Sequence, residues 1–339
     1  MNNLVVSHAG SPSVSVYPWN AGLKYSNPAE LVYGDAKAAA FNTPGNRLAI
    51  AYSNSPFWSL YVFSSSGFGA KVVTPSNVVS GANITSAYNY VAGIANSLAW
   101  QPVDSFIIGS DYLAIAHTTT PFISLFQFIF SLSLAMVGKV INPATLPTGA
   151  GNGVAWNFDG TYFAVAHAVS PFVSVYPFTA PTIGTKVANP ATLPTGTGSG
   201  VAWSPDGAYI AVAHATTPFV SVYPFTGTFG VKIANPATLP SGTGNGVAWS
   251  PDGAYIAVAH ATTPFVSVYP FTSGAFGTKI ADPATLPTGT GNGVAWSPDG
   301  TLIAIAHTTT PFVSVYPFTA GAFGTKSTNP ATLPAGTGN

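Results

Sequence analysis

The sequence predicts an all-β protein made of seven copies of one small antiparallel sheet. Three observations carry that prediction. A histidine recurs at His8, His117, His167, His214, His260 and His307, with Tyr52 in the remaining place, and the intervals from His117 onward are 50, 47, 46 and 47 residues. A lysine recurs once per unit, at Lys24, Lys71, Lys139, Lys186, Lys232, Lys279 and Lys326, so the count of seven rests on two markers. With 35 Gly and 30 Pro the chain is too rich in breakers for long helices, and with 47% hydrophobic residues it is too apolar for disorder. A length of 339 residues would ordinarily suggest two domains, but a repeat of this period makes residues 1–339 a single domain, with extra sequence at about 76–95 stretching one interval to 65.

Within the unit that begins at Gly246, Val247-Ala248-Trp249 reads as a short apolar strand. Ser250-Pro251-Asp252-Gly253 is a tight turn, with Pro setting φ and Gly taking the left-handed position. Tyr255 to His260 is the second strand. Thr262-Thr263-Pro264 turns the chain, Thr263 being held extended by the proline after it, and Phe265 to Tyr269 is the third strand. A turn through Ser273 and Gly274 leads to a fourth strand near Gly277-Thr278-Lys279-Ile280, and Pro283-Ala284-Thr285-Leu286-Pro287 links to the next unit.

The second strand is apolar or small on both faces, with Ile256 and Val258 on one and Tyr255, Ala257 and Ala259 on the other, so neither face belongs in water. Small sheets buried on both sides and repeated around an axis are the blades of a β-propeller. The expected fold is therefore a seven-bladed propeller of four-stranded antiparallel blades. Its first blade, at the termini, is short by the inner strand: the chain starts at a second strand, Leu4 to His8, and ends at Gly336-Thr337-Gly338-Asn339. That blade could close with three strands, receive the tail, or accept a strand from a partner; closure with three strands is the expectation.

Val-Ala-Trp-Ser-Pro-Asp-Gly at 201–207, 247–253 and 294–300, followed by a small-residue strand and an aromatic-ended third strand, resembles the WD-repeat β-propellers over nearly the whole chain. The Gly-His pair of that family is missing, and Tyr223, Tyr269 and Tyr316 stand where its Trp would be, so its buried hydrogen-bond tetrad does not carry over; His214 and its equivalents are expected to replace part of it. The phrases TTPFVSVYPF and NPATLPTGTGNGVAW also resemble repeats in bacteriophage virion and tail-associated propeller proteins. That resemblance implies a virion component with structural or host-attachment duties, in contact with other virion or assembly proteins and in reach of host-surface glycan. A lectin-like extracellular propeller and an intracellular interaction scaffold are the alternatives.

Composition narrows the partners. Only 5% of residues are charged, and nine Lys plus Arg balance nine Asp plus Glu, so no long-range field draws nucleic acid or anionic lipid. So few charges protect poorly against self-association, which favours an assembly or an extracellular setting. The N-terminal residues lack the pattern of a secretory signal. The apolar run Phe122 to Val137 is short for a membrane span and falls where the repeat requires two strands, so no membrane insertion is expected.

The histidines are candidate metal ligands, yet a second strand lies roughly 10 Å from a propeller axis, too far for one ion to bridge blades through bonds of about 2 Å. A structural role is expected, with no cofactor and no metal. The lysines fit protection of the outer edges better than a grip on anions. Asp159, Asp206, Asp252 and Asp299 sit in turns on different blades, which speaks against a paired-carboxylate site, and no Gly-x-Ser-x-Gly elbow occurs. The expectation is a protein that is not an enzyme. Trp19, Phe225, Phe229, Phe271 and Phe276 are read as buried between blades. The irregular segment, with Asn83, Tyr88, Asn89 and Tyr90, is the expected binding surface, because loops that break a rigid scaffold are where binding concentrates.

Overall fold

Short apolar strands separated by Pro-Asp-Gly and Thr-Pro-Phe turns can only pair with their immediate neighbours, and they do. The computed structural model describes residues 3–19, 23–30, 34–73, 91, 93–102, 110–130 and 134–339. Among them lie two short strands at the start, β1 (Asn3–Ser7) and β2 (Val14–Pro18), and six sheets of antiparallel strands in simple sequence order. Gly244–Trp249, Tyr255–His260, Val266–Thr272 and Ala275–Phe276 form one such sheet, from inner to outer edge. The same order recurs from Ala36–Phe41, Ala95–Trp100, Gly151–Trp156 and Gly291–Trp296. The sheet that starts at Gly198–Trp203 has three strands and a single bridge, Phe225 to Phe229, in place of the fourth. The fold is an all-β propeller of four-stranded antiparallel blades.

Three expectations are corrected. Among the described residues the blades number six and not seven, because there the first unit supplies only the β1–β2 pair. That unit does not close with three strands either: the tail meets it, with a bridge from His8 to Gly338 and a hydrogen bond from the Asn339 N–H to the Ser7 carbonyl at 2.9 Å. The fourth strand expected near Gly277–Ile280 shortens to Ala275–Phe276. Beyond it the chain still runs beside the third strand, the Ile280 N–H donating to the Val268 carbonyl at 2.8 Å, so the lysine segments edge the blade without forming a regular ladder. The run from Phe122 forms the paired strands Ile123–Phe130 and Leu134–Lys139, and no helix among the described residues is long and apolar enough to cross a membrane.

Face-to-face packing of neighbouring blades makes the core. Each apolar cluster draws on two successive sheets, as where Ala211, Val220 and Val222 of one meet Val247, Ile256 and Val258 of the next. Hydrogen bonds also cross each gap around the axis. The Trp156 indole donates to the Ala99 carbonyl of the preceding blade, and Trp203 to Ala155, at 3.1 and 3.2 Å. Asparagine amides reach the other way, Asn152 to Gly198, Asn245 to Gly291 and Asn292 to Gly338, at 2.8–2.9 Å. Asn339 completes the circuit by donating to Ala36 at 2.8 Å.

Glycine makes this approach possible. A Cβ on Gly198, Gly244, Gly291 or Gly338 would lie 2.3–2.4 Å from the carbonyl oxygen of Phe172, Phe219, Phe265 or Phe312 in the preceding blade, a contact no real side chain makes. Those phenylalanines have φ between 68° and 70°, a left-handed conformation uncommon for a bulky residue. Gly244→Ala is therefore expected to destabilise the protein by about 2–4 kcal/mol through backbone displacement. Gly207→Ala, whose strain is only its φ of 71° with nothing within 4 Å of the added atom, should cost about 1 kcal/mol. Urea unfolding of the two variants checks the order.

Candidate functional site

The repeated histidine sits at the end of the second strand, where the chain must turn tightly. His8, His117, His167, His214, His260 and His307 are all fully buried. Each Nε2 lies 3.0 Å from the hydroxyl of a serine seven residues on, Ser15, Ser124, Ser174, Ser221, Ser267 and Ser314. In His8 the Nδ1–H donates to the Ala9 carbonyl at 3.1 Å, so its Nε2 accepts from Ser15. The pair ties second strand to third within one blade. Burial lowers the imidazole pKa to about 4 at His117, His167, His214, His260 and His307, with nearby lysine charges such as Lys232 pushing the same way. Among the described residues no three His, Asp or Glu side chains gather into a metal site.

The lysines hold the linkers. Lys24, Lys186, Lys232 and Lys326 each donate to the asparagine three residues on (Asn27, Asn189, Asn235 and Asn329), and Lys279 pairs with Asp282. The blade tyrosines clamp the same linkers: Tyr176 donates to the Thr145 carbonyl, Tyr316 to Thr285, and Tyr17 to Thr332, at 2.8–2.9 Å. Since Thr332 lies in the tail, the tail is the linker of the first unit. Of the rim aromatics, Phe225 and Phe271 are buried in the inter-blade clusters, Phe229 and Phe276 pack against them, and Trp19 lines a cleft at the first unit. Asn83, Tyr88, Asn89 and Tyr90 lie outside the described residues.

A different set of residues converges between blades, at the face carrying the Pro-Asp-Gly turns. One cleft of about 540 Å³ is lined by Ser204, Asp206, Tyr209, Trp249, Asp252 and Phe271, among others. Its neighbour, about 500 Å³, repeats the pattern with Asp252, Tyr255, Trp296, Asp299 and Phe318. A third, about 190 Å³, holds Asp159, Tyr162, Asp206 and Phe225. The aromatic wall is rigid: Tyr209 lies 6.1 Å from Trp249 at 31° and meets Phe271 edge-on at 5.0 Å, and Tyr255 repeats this with Trp296 and Phe318. One carboxylate oxygen of each aspartate is engaged by its own turn, as where Asp206 accepts from the Ser204 hydroxyl at 2.5 Å and the Ala208 N–H at 3.0 Å. The Ser297 hydroxyl and the Thr301 donors hold the Asp299 carboxyl below its ordinary pKa.

The turn aspartates, expected on different blades, line shared clefts, Asp206 and Asp252 one and Asp252 and Asp299 the next. The repeat itself held the signal: Asp precedes Tyr by three residues at Asp159, Asp206 and Asp252, and stacking sets the Asp and Tyr of one copy beside the Trp, Asp and Phe of the next.

No family model and no curated protein matches the chain. Solved structures do. A functionally unknown protein from Desulfotomaculum acetoxidans is 13% identical with a TM-score of 0.69, covering 100% of this chain and 98% of that one. A periplasmic gluconolactonase, PpgL, from Pseudomonas aeruginosa is 16% identical with a TM-score of 0.66, covering 99% and 97%. The β-propeller domain of Myceliophteria thermophila Cps50 (Swd1) is 10% identical with a TM-score of 0.60, covering 90% of each. At these identities the likeness is one of fold, and the WD-repeat resemblance stands as a β-propeller. The gluconolactonase overturns the expectation that the chain is not an enzyme, because a propeller of the same shape and length carries that name.

The histidine pairs predict a pH dependence. Folding keeps the imidazoles neutral, whereas the unfolded chain takes up protons as pH falls below about 6.5, so stability is full above that value and is lost as pH falls toward about 4. At pH 5 each such histidine should cost about 2 kcal/mol. The melting temperature is expected to drop by roughly 10 °C or more between pH 7 and pH 5, read by circular dichroism; a flat profile would contradict the buried neutral imidazoles.

Proposed function

We propose that this chain is a multivalent carbohydrate-binding propeller of a bacteriophage particle, meeting host-surface glycan through equivalent inter-blade clefts while the disc is fixed to other virion proteins. The observation that carries the glycan reading is the threefold recurrence of one chemistry: Tyr and Phe beside two turn aspartates, joined by Trp in the two larger clefts. Sugar rings offer an apolar face that stacks on aromatics and a fringe of hydroxyls that donate to carboxylates. The two larger clefts have the volume of ordinary small-ligand sites. Placement on a virion is supported by the repeat phrases and by the low charge, which suits a surface held within an assembly.

Equivalent weak sites gain by avidity on a dense glycan surface. On an array of bacterial surface glycans the protein should therefore bind a hexose-containing group above background. The single change Tyr209→Ala should lower stoichiometry in solution, and the combined changes Tyr162→Ala, Tyr209→Ala and Tyr255→Ala should reduce array binding roughly a hundredfold. No glycan above background on the array would overturn the reading.

A further inference from the structure

The three inter-blade clefts share a charge as well as a shape. Asp206 lines both the smallest and the largest of them, and Asp252 both the largest and its neighbour, so Asp159, Asp206, Asp252 and Asp299 form one row along the turn face of the disc. Each turn fixes its carboxylate through the same oxygen. Oδ1 of Asp252 accepts from the Ser250 hydroxyl at 2.6 Å and the Ala254 N–H at 3.0 Å, and Oδ1 of Asp299 accepts from the Ser297 hydroxyl and the Thr301 N–H at 2.5 and 3.1 Å. Among the described residues Oδ2 of Asp206, Asp252 and Asp299 receives no hydrogen bond, which leaves it for whatever enters the cleft.

No counter-charge offsets this row. None of the described residues lining the three clefts is Lys, Arg or His. The repeated lysines sit by the opposite end of the second strand, close enough for Lys186 and Lys232 to reinforce the effect of burial on His167 and His214. From Tyr209 to His214 that strand spans about 17 Å, well beyond the distance of about 8 Å over which exposed charges act at physiological salt. The aromatic wall works in the same direction. The faces of Tyr209, Trp249, Tyr255 and Trp296 are the negative side of each ring quadrupole and attract a cation. The Tyr209 and Tyr255 hydroxyls lie against Gly274 and Gly321, where an added Cβ would be 2.9 Å away, and hydrogen-bond to no other group among the described residues. A fitting occupant is therefore cationic, apolar on one face and able to hydrogen-bond along its rim.

We propose that the clefts select amino sugars carrying a free ammonium group, in a polymer that sets successive ammonium groups against successive aspartates. The proposal rests on the glycan reading above and names the class of glycan. The ammonium donates to the open oxygens of Asp206 and Asp252 in one cleft and of Asp252 and Asp299 in the next, while the sugar ring lies against the aromatic wall and its hydroxyls meet the tyrosine hydroxyl. N-acetylation removes the charge, and acidic sugars meet charge of their own sign. A lysine side chain supplies the same ammonium but neither a ring face nor hydroxyls. Because the carboxylates are exposed, each contact is modest: one exposed ion pair and one cation–π contact per cleft together favour the charged sugar roughly tenfold.

The test is titration calorimetry of the unaltered protein with oligomers of equal length: a β-1,4-linked glucosamine hexamer, its fully N-acetylated form and a glucose hexamer. The glucosamine hexamer is expected to bind roughly tenfold tighter or more than either neutral oligomer, and added salt should shrink the difference. In a variant combining Asp159→Asn, Asp206→Asn, Asp252→Asn and Asp299→Asn, the amide oxygen can still accept the turn bonds, and the affinities for the charged and neutral oligomers should come within about threefold of each other. Equal or tighter binding of a neutral oligomer by the unaltered protein would overturn the amino-sugar assignment and leave the glycan reading standing. So would binding of none of the hexamers by a protein that takes an acidic glycan on the array. An undiminished preference in the folded variant would overturn the role of the aspartates, and a lysine hexapeptide bound as tightly as the glucosamine hexamer would overturn the choice of a sugar. With no glycan bound on the array either, the glycan reading falls together with the assignment.

Discussion

Everything in this molecule depends on how closely the inner strands of neighbouring blades approach one another. At Gly244 and its equivalents the backbone passes so near the preceding blade's phenylalanine carbonyl that a methyl group could not be placed there. That contact fixes the tilt and spacing of each blade against the last. Spacing in turn lets one blade's asparagine amide and the next blade's indole cross the gap to main-chain carbonyls of the facing inner strands, as Asn152 does to Gly198 and Trp203 to Ala155. Because the tail follows the same rule, with Gly338 against Phe312 and Asn339 donating to Ala36, the ring is drawn shut by the geometry that builds its interior.

Within a blade the organising element is different. The histidine and serine pair joins second and third strands at a buried, neutral hydrogen bond, and the lysine and tyrosine contacts fasten the linker on the outside. All are local, so every copy can be assembled from its own residues before the ring closes. The inter-blade clefts then arise as a consequence of stacking: each is built from the turn and aromatics of two successive copies. A surface of repeated, shallow and nearly identical sites suits repeated ligands better than it suits one unique molecule.

Much of this was legible in the sequence. The period, the strand boundaries around Val247-Ala248-Trp249 and Tyr255 to His260, and the two-sided burial of the second strand follow from alternation and turn chemistry. What was not legible had physical reasons. Gly277 to Ile280 has strand-like composition, but its lysine and linker contacts pull it off the ladder after two paired residues, so propensity lost to tertiary bonding. The first unit's geometry was hidden because its decisive partners, Tyr17 with Thr332 and His8 with Gly338, lie at opposite ends of the chain. The pairing of Asp206 with Asp252 in one cleft was missed because residues 46 apart in sequence become neighbours only once the stacking is known.

Closure through the tail is the claim on which the ring rests, and a chain without cysteine allows it to be tested cleanly. Ser7 and Asn339 exchange a main-chain hydrogen bond at 2.9 Å, and the Ser7 hydroxyl donates to the Asn339 carbonyl at 3.1 Å, an approach close enough for a disulfide. In the double variant Ser7→Cys and Asn339→Cys, mild oxidation should yield an intramolecular crosslink in nearly all molecules, seen as faster migration on a non-reducing denaturing gel that thiol reverses. Free thiols throughout, or crosslinks only between molecules, would show that the ends do not meet and that the ring is not closed this way.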